Sequence, residues 1–169
     1  WLKRHNRIVI NGLNTIDIEI SKVNQYLLLG KCNILFPRYY MATNKNQVRQ
    51  VAENRFSNNF IMKDNRSGSG HSVKRIENIG VLEDYLENEY TEPIDGVKIL
   101  QEYIKPVKGY IIRLEFINYK LVYALQVMVS DGEYNLCPAG SCSLGDKFNI
   151  IKAFGEHNYL LLVKKLKQF

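Results

Sequence analysis

The sequence predicts an α+β fold in which helices alternate with mostly antiparallel strands. Ser21, Asn44 and Asn78, which are residue types suited to capping a helix, each precede a segment with apolar residues at helical spacing. Segments 110–117 and 120–129 read as strands and lie on either side of a two-residue turn, as in a hairpin. With 46% hydrophobic and 24% charged residues, the 169-residue chain has an ordinary globular composition.

At the N-terminal end, residues 7–19 alternate loosely in polarity and predict a strand that contains a turn at Asn11-Gly12. Ser21 then predicts the start of a helix that runs to about Leu29, with Gly30 as its stop signal. Three residues of this helix are predicted to share one face: Val23, Tyr26 and Leu27.

Two further helices follow. Asn44 predicts the start of the next one, with Gln47 three residues later as in a capping box. The segment from Asn78 to about Tyr90 predicts the other. Six residues are predicted to face inward from these two helices: Val48, Val51, Ala52, Leu82, Tyr85 and Leu86.

Between these helices, a loop rich in Gly and Ser separates two short strands. Residues 60–63 end in Lys63, residues 64–70 form the loop, and residues 71–76 return. Such a loop can surround phosphate oxygens with backbone N–H groups, but its composition is equally typical of an ordinary hairpin. Neither the P-loop pattern nor the dinucleotide-binding pattern occurs in the sequence.

Strands are predicted at 97–104, 110–117 and 120–129, with a hairpin turn at Asn118-Tyr119. Ile112, Leu114 and Phe116 are predicted on one face of the second of these strands, and Arg113 and Glu115 on the other. Residues 130–147 are rich in turn formers, and a last helix is predicted from His157 to the end of the chain.

The composition also bears on location and partners. The net charge of +6 is compatible with an anionic partner without identifying one. The odd number of cysteines, Cys32, Cys137 and Cys142, without a CxxC pair, fits reduced thiols better than disulfides or a zinc site. No apolar stretch approaches the length of a membrane span and no signal-like segment opens the chain. We therefore expect a cytoplasmic protein without a membrane partner.

The order of these motifs resembles the ATP-grasp superfamily, in its branch of glutamate-ligase-like and glutathione-synthetase-like carboxylate–amine ligases. The resemblance covers roughly residues 7–169. The motifs that carry it are Ser21-Lys22, Phe36-Pro37, Phe60-Ile61-Met62-Lys63, Ser67-Gly68-Ser69-Gly70, Leu100-Gln101-Glu102-Tyr103-Ile104, Arg113-Leu114-Glu115-Phe116-Ile117 and Val122-Tyr123-Ala124.

The resemblance implies two lobes of mostly antiparallel sheet with packed helices, holding ATP between them. Residues 1–36 would be the end of a preceding region and a lead-in helix. Residues 37–103 would form the small lobe, which contains the glycine loop, and 104–169 the start of a truncated large lobe. We accordingly expect the chain to be a piece of a longer protein.

The resemblance also assigns phosphate-binding residues. Lys22 would reach the nucleotide phosphates from a helix, and Lys63 would reach the α-phosphate side from a strand. The compact ammonium of lysine suits a phosphate of variable geometry. The loop from Asn65 to Gly70 would close over the β- and γ-phosphates, and four of its residues would bind the nucleotide: Ser67, Gly68, Ser69 and Gly70. For either lysine, the alternative is an ordinary solvated surface residue.

Further residues are assigned by the same resemblance. Gln101, Glu102 and Tyr103 would form the linker between the lobes that contacts adenine through its backbone. Arg113 would face phosphate or the acyl group, unless it simply pairs with Glu115. The family often places an acidic residue for the ribose hydroxyls just after the linker, where this chain has Ile111. Glu115 or Glu102 could take that role.

The cofactors implied by the resemblance are ATP and Mg²⁺. Carboxylates and an asparagine on the last strands of the large lobe hold the metal in such enzymes. Past Phe148 the sequence offers only Glu156, so we expect these ligands beyond Phe169 and little phosphoryl transfer without them.

The leading hypothesis is the ATP-binding part of a ligase that joins a small carboxylate to an amine or thiol through an acyl phosphate. A catalytically inactive ATP-grasp domain that binds nucleotide is the first alternative. A basic nucleic-acid-binding module, in which the eleven tyrosines stack on bases, is a weaker one. Cys137 is not favoured as a nucleophile, because no histidine is near it in the sequence.

Overall fold

The structure, a computed structural model, describes residues 2–56, 58–68, 70–129 and 148–151. A 3₁₀ turn at Lys3–His5 precedes four helices: α1 (Leu13–Glu19), α2 (Lys22–Lys31), α3 (Lys45–Arg55) and α4 (Ile79–Asn88). The strands are β1 (Tyr39–Ala42), β2 (Phe60–Asp64), β3 (Lys74–Ile76), β4 (Lys98–Glu102), β5 (Tyr110–Ile117), β6 (Lys120–Met128) and β7 (Phe148–Ile150). The predicted α+β class is confirmed.

The strands form two antiparallel sheets. The first sheet has the order β1-β4-β2-β3, and the second sheet has the order β5-β6-β7. The predicted hairpin turn joins β5 to β6, with positive φ angles of 47° at Asn118 and 62° at Tyr119. Two consecutive residues in this region are typical of a type I′ turn, whose twist matches the flanking strands.

One face of the first sheet packs on α3 and α4 and forms the core. Met62 of β2 pairs with Leu100 of β4, and both side chains are buried in one cluster with residues of the two helices. Val48 and Ala52 of α3 and Leu82 and Leu86 of α4 are almost fully buried, as the helical spacing predicts. Because side chains alternate along a strand, the neighbours of the core residues point to the opposite face.

The predicted helix starts agree with the structure. The side chains of Ser21, Asn44 and Asn78 each accept a hydrogen bond from the backbone N–H three residues later. Each cap therefore satisfies a backbone donor that the helix itself leaves unpaired. The first of these helices, α2, continues to Lys31 and includes Gly30, which was predicted to stop it.

The strand predicted over residues 7–19 is wrong, because this segment contains α1. Ile16, Ile18 and Ile20 alternate as in a strand, but Leu13, Ile16 and Ile20 also have helical spacing. None of the residues of α1 is buried. Strand β1, which the sequence analysis did not predict, is the four-residue edge strand of the first sheet.

Two predictions lie outside the described residues: the helix from His157, and the turn-rich segment that contains Cys137 and Cys142. Among the residues described, no helix is both long and apolar enough to cross a membrane.

Candidate functional site

The face of the first sheet opposite α3 and α4 carries Lys63 and Gln101. Ile61 of β2 pairs with Gln101 of β4, and Lys63 lies two residues after Ile61, so all three side chains share this face. The Gln101 side chain accepts hydrogen bonds from Lys63 Nζ and from the hydroxyl of Tyr26, each at 2.5 Å. Two residues predicted from the sequence, Lys63 and Gln101, are therefore in direct contact.

The aromatic ring of Tyr26, on α2, lies beside the Lys63 side chain. Its ring packs on Tyr39 with 4.2 Å between centroids, and the Lys63 ammonium lies 5.5 Å from the Tyr26 ring centroid. Burial, with a smaller contribution from Tyr39, raises the pKa of Tyr26 to about 12. The hydroxyl of Tyr26 therefore keeps its proton at neutral pH and remains a hydrogen-bond donor to Gln101.

The Lys63 ammonium is held in an environment that disfavours its charge. Burial, with a smaller contribution from the nearby positive charge of Lys22, lowers its pKa from 10.5 to about 8. Its acceptor, Gln101 Oε1, is neutral, so this contact satisfies a donor without compensating the charge. A buried cation next to a second cation favours an anion at this place.

Lys22, the first residue of α2, contacts the start of the glycine loop. Its Nζ lies 3.0 Å from Asp64 O, 3.4 Å from Asn65 O, 2.9 Å from Ser67 O and 3.0 Å from Ser67 Oγ. Burial lowers the pKa of Lys22, and the opposing attraction of Asp64 and Asp95 is smaller. The charge of Lys22 therefore lies against the start of the loop, and it is near enough to Lys63 to lower the pKa of that residue.

The glycine loop connects β2 to β3. Ser72 Oγ donates to Ser67 Oγ at 2.7 Å and accepts from Asp64 N at 3.0 Å, which closes the base of the loop. Gly70 has φ of +73°, a left-handed conformation that glycine adopts without strain. A Cβ at Gly68 would meet no atom within 4 Å, so this glycine borders open space. Ser69 lies outside the described residues.

The remaining predicted residues lie either at the end of β4 in the first sheet or on β5 in the second sheet. Glu102, at the end of β4, donates from its N–H to Arg38 O at 2.8 Å and accepts from Arg38 N through its carboxylate at 3.3 Å. The Arg75 guanidinium stacks over the Tyr103 ring at 4.5 Å. Arg113 and Glu115 lie on β5 in the second sheet, where they form an ion pair of 3.6 Å.

Sequence reasoning did not predict two sets of contacts, those that Asn65 makes within the loop region and those that Lys98 makes on the core face. Asn65 is 7% exposed, and its side-chain oxygen accepts from Val23 N at 2.9 Å, which ties the loop to α2. On the core face, Lys98 is 1% exposed and donates to Asp64 Oδ1 at 2.5 Å and to Tyr85 OH at 3.2 Å. A lysine within the apolar run Val97-Lys98-Ile99-Leu100 was the available signal for this buried ion pair.

The described residues give no metal-binding cluster. Within ranges 2–56, 58–68, 70–129 and 148–151, no three His, Cys, Asp or Glu side chains come together as ligands. The set of residues near Lys63 is cationic and suits an anion rather than a cation. The expectation that magnesium ligands lie beyond Phe169 stays a prediction.

Comparison with known proteins bears on both fold and family. A family model described as the RimK-like ATP-grasp domain matches residues 20–152, which include both lysines, the glycine loop and β4 to β6. No curated protein matches the chain.

Several solved structures share the fold. A RimK domain ATP-grasp protein from Sphaerobacter thermophilus DSM 20745 is 17% identical, with a TM-score of 0.61 over 73% of this chain and 47% of that one. D-cycloserine synthetase DcsG is 15% identical, with a TM-score of 0.66 over 97% of this chain and 56% of that one. The ATP-grasp ligase PsnB, complexed with minimal precursor, Mg and ADP, is 16% identical, with a TM-score of 0.61 over 98% of this chain and 47% of that one. The chain spans about half the length of these proteins.

Proposed function

The chain belongs to the RimK-like ATP-grasp domain family, and we propose that it binds ATP on the sheet face that carries Lys63, as part of an ATP-dependent carboxylate–amine or thiol ligase. In this proposal, residues 37–103 are the small lobe and residues 104–169 begin the large lobe, while residues 1–36 lead into them. We also propose that the protein is cytoplasmic and that its intact form is a ligase for a small carboxylate and an amine or thiol.

The observation that carries the proposal is the state of Lys63. Its ammonium is partly desolvated, hydrogen-bonded to a neutral amide and repelled by Lys22, so its charged form is disfavoured in the free protein. A phosphate oxyanion at this position would accept a charge-assisted hydrogen bond and favour the charged form. The free energy that disfavours the cation in the free protein would then be recovered on binding.

The rest of the nucleotide has proposed contacts along the same sheet. Ser67, at the start of the glycine loop, contacts Lys22, and residues 67–70 would cover the β- and γ-phosphates. The backbone of Gln101, Glu102 and Tyr103, where β4 ends, would contact adenine. Glu102 and Glu115 are the candidates for the ribose hydroxyls. In this structure both carboxylates are engaged, with Arg38 N and with Arg113.

The proposed reaction proceeds in two steps. A substrate carboxylate attacks the γ-phosphorus of ATP, which releases ADP and gives an acyl phosphate, and an amine or thiol then displaces phosphate from the acyl carbon. The protein positions the reactants and stabilises the charge that spreads over the transferred group. Arg113 would face the phosphate or acyl group once its pairing with Glu115 is exchanged for the substrate. Mg²⁺, when bound, would supply charge neutralisation at the phosphates.

Calorimetric titration with an unreactive ATP analogue tests the proposal. The parent chain should bind, and Lys63→Met should bind roughly tenfold to hundredfold more weakly, because a hydrogen bond to a charged group contributes about 1.5–3 kcal/mol. Lys74→Met is the matched control. This substitution removes the same charge from the adjacent strand β3, but the Lys74 side chain lies on the core face, beside Met62. Equal affinity of Lys63→Met and the parent would contradict the proposal.

A further inference from the structure

Arg75, to which the proposed function assigns no role, lies on the same face of the first sheet as Lys63. It is the residue of β3 that pairs with Ile61, and Ile61 pairs in turn with Gln101 of β4. Side chains of directly paired residues point to the same face of a sheet, so the Arg75 side chain shares the face of the proposed nucleotide site. This side chain is only 20% exposed, and an arginine is rarely buried to this degree without partners.

Three groups contact the Arg75 guanidinium. Its Nε donates to Asn59 Oδ1 at 2.7 Å, and its Nη2 lies 3.6 Å from Glu77 Oε1. Its Cζ lies 4.5 Å from the centroid of the Tyr103 ring. A planar guanidinium can lie on an aromatic ring while its edge donates hydrogen bonds. The Tyr103 ring therefore rests on a guanidinium whose own position is fixed by the bond to Asn59.

These contacts lie at the end of the sheet that is remote from Lys63. Tyr103 directly follows β4, and Asn59 directly precedes β2, which runs antiparallel to β4. Lys63 comes four residues after Asn59, a separation of about 13 Å at the rise of a strand. Arg75 thus connects β3 with the start of β2 and the end of β4, where the proposed contact with adenine lies, rather than with the proposed phosphate site.

We propose that Arg75 is a positioning residue for the adenine base: it fixes the ring of Tyr103, and with it the backbone at the end of β4 that contacts adenine. This inference rests on the proposed function and deepens it, because it assigns a residue to binding of the base. A backbone that is already ordered in the free protein loses less conformational entropy when the nucleotide binds. Arg75 acts through Tyr103, since one face of its guanidinium is covered by that ring and its Nε is bonded to Asn59.

Calorimetric titration with two probes tests the proposal. The probes are an unreactive ATP analogue and inorganic tripolyphosphate, which has no base. Arg75→Met should bind the analogue roughly threefold to tenfold more weakly, the loss expected for a partly desolvated contact between a cation and an aromatic ring, and should bind tripolyphosphate as the parent does. Arg55→Met is the matched control, because it removes the same charge and a guanidinium that lies 5.3 Å from the ring of Tyr40, which packs on the core. This control should bind both probes as the parent does.

A double-variant cycle tests whether Arg75 acts through Tyr103. Tyr103→Leu should weaken binding of the analogue by a similar factor, and Arg75→Met should then add little further loss, because substitutions of residues that act as one unit are not additive. Fully additive losses would overturn the proposal, since they would show that Arg75 affects the nucleotide independently of the Tyr103 ring.

Two other results would also overturn it. Unchanged affinity of Arg75→Met for the analogue would show that Arg75 does not position the base, and an equal loss of affinity for tripolyphosphate would show a general structural role. If the parent binds the analogue and Arg75→Met binds it equally well, this inference alone is refuted. If the parent binds neither probe, the proposed function is refuted and the inference falls with it.

Discussion

The depressed pKa of Lys63 makes a quantitative prediction about stability and pH. The pKa is about 8 in the folded chain, against 10.5 for an unperturbed lysine. Between these two values the unfolded chain binds more protons than the folded chain, so the free energy of unfolding rises with pH. Below pH 8 both states are protonated at this residue, and the folded state carries the full cost of the buried charge, which is roughly 3 kcal/mol.

The variant Lys63→Met removes this titration while keeping a side chain of similar length. For the parent, linkage predicts that the contribution of Lys63 increases by about 2 kcal/mol between pH 7 and pH 9.5. The variant should lack this increase and should be more stable than the parent at pH 7. Urea unfolding at four pH values over this range measures both quantities.

The titration of two other groups, Tyr26 and Lys22, does not interfere with this comparison. Burial raises the pKa of Tyr26 to about 12, so ionisation of tyrosine in the unfolded chain lowers stability only near pH 10 and above. Lys22 also has a lowered pKa, but it is present in both proteins. If the parent and Lys63→Met have the same dependence of unfolding free energy on pH, Lys63 is not desolvated and the electrostatic basis of the site is wrong.

Two predictions concern the buried ion pair on the core face. Lys98→Met leaves the carboxylate of Asp64, 15% exposed, without its cation and should lower the free energy of unfolding by about 3–5 kcal/mol, measured by urea unfolding. Combining Lys98→Met with Asp64→Asn should recover most of this loss, because no unpaired charge is left; a double variant less stable than Lys98→Met would contradict the ion-pair explanation.

Local signals in the sequence predicted most of the secondary structure. Ser21, Asn44 and Asn78 start helices because a short polar side chain can accept a hydrogen bond from a backbone N–H that the helix leaves unpaired. This local bond does not depend on tertiary context. The prediction for residues 7–19 was wrong because Ile16, Ile18 and Ile20 fit the two-residue period of a strand, while Ile16 and Ile20 also fit the spacing of a helix. Strand β1 was missed because four residues are too few to show alternation, and its pairing with β4 is long-range.

The candidate site was predictable only in part. The resemblance to the ATP-grasp superfamily named Lys63 and Gln101, and the structure places their side chains in contact. Tyr26 and Asn65 depend on contacts with residues 75 and 42 positions away along the chain, and no local pattern encodes such distances. Charge pairing across strands, as between Lys98 and Asp64, is likewise visible only once the register of β2 and β4 is known.

The most direct test of the proposed nucleotide site is to locate a bound unreactive ATP analogue on the chain by structure determination of the complex. We expect the triphosphate within hydrogen-bond distance of Lys63 Nζ and beside Ser67, with adenine at the backbone of residues 101–103. A nucleotide bound on the core face of the first sheet, beside Lys98 and Lys74, or on the second sheet alone, would contradict the proposal.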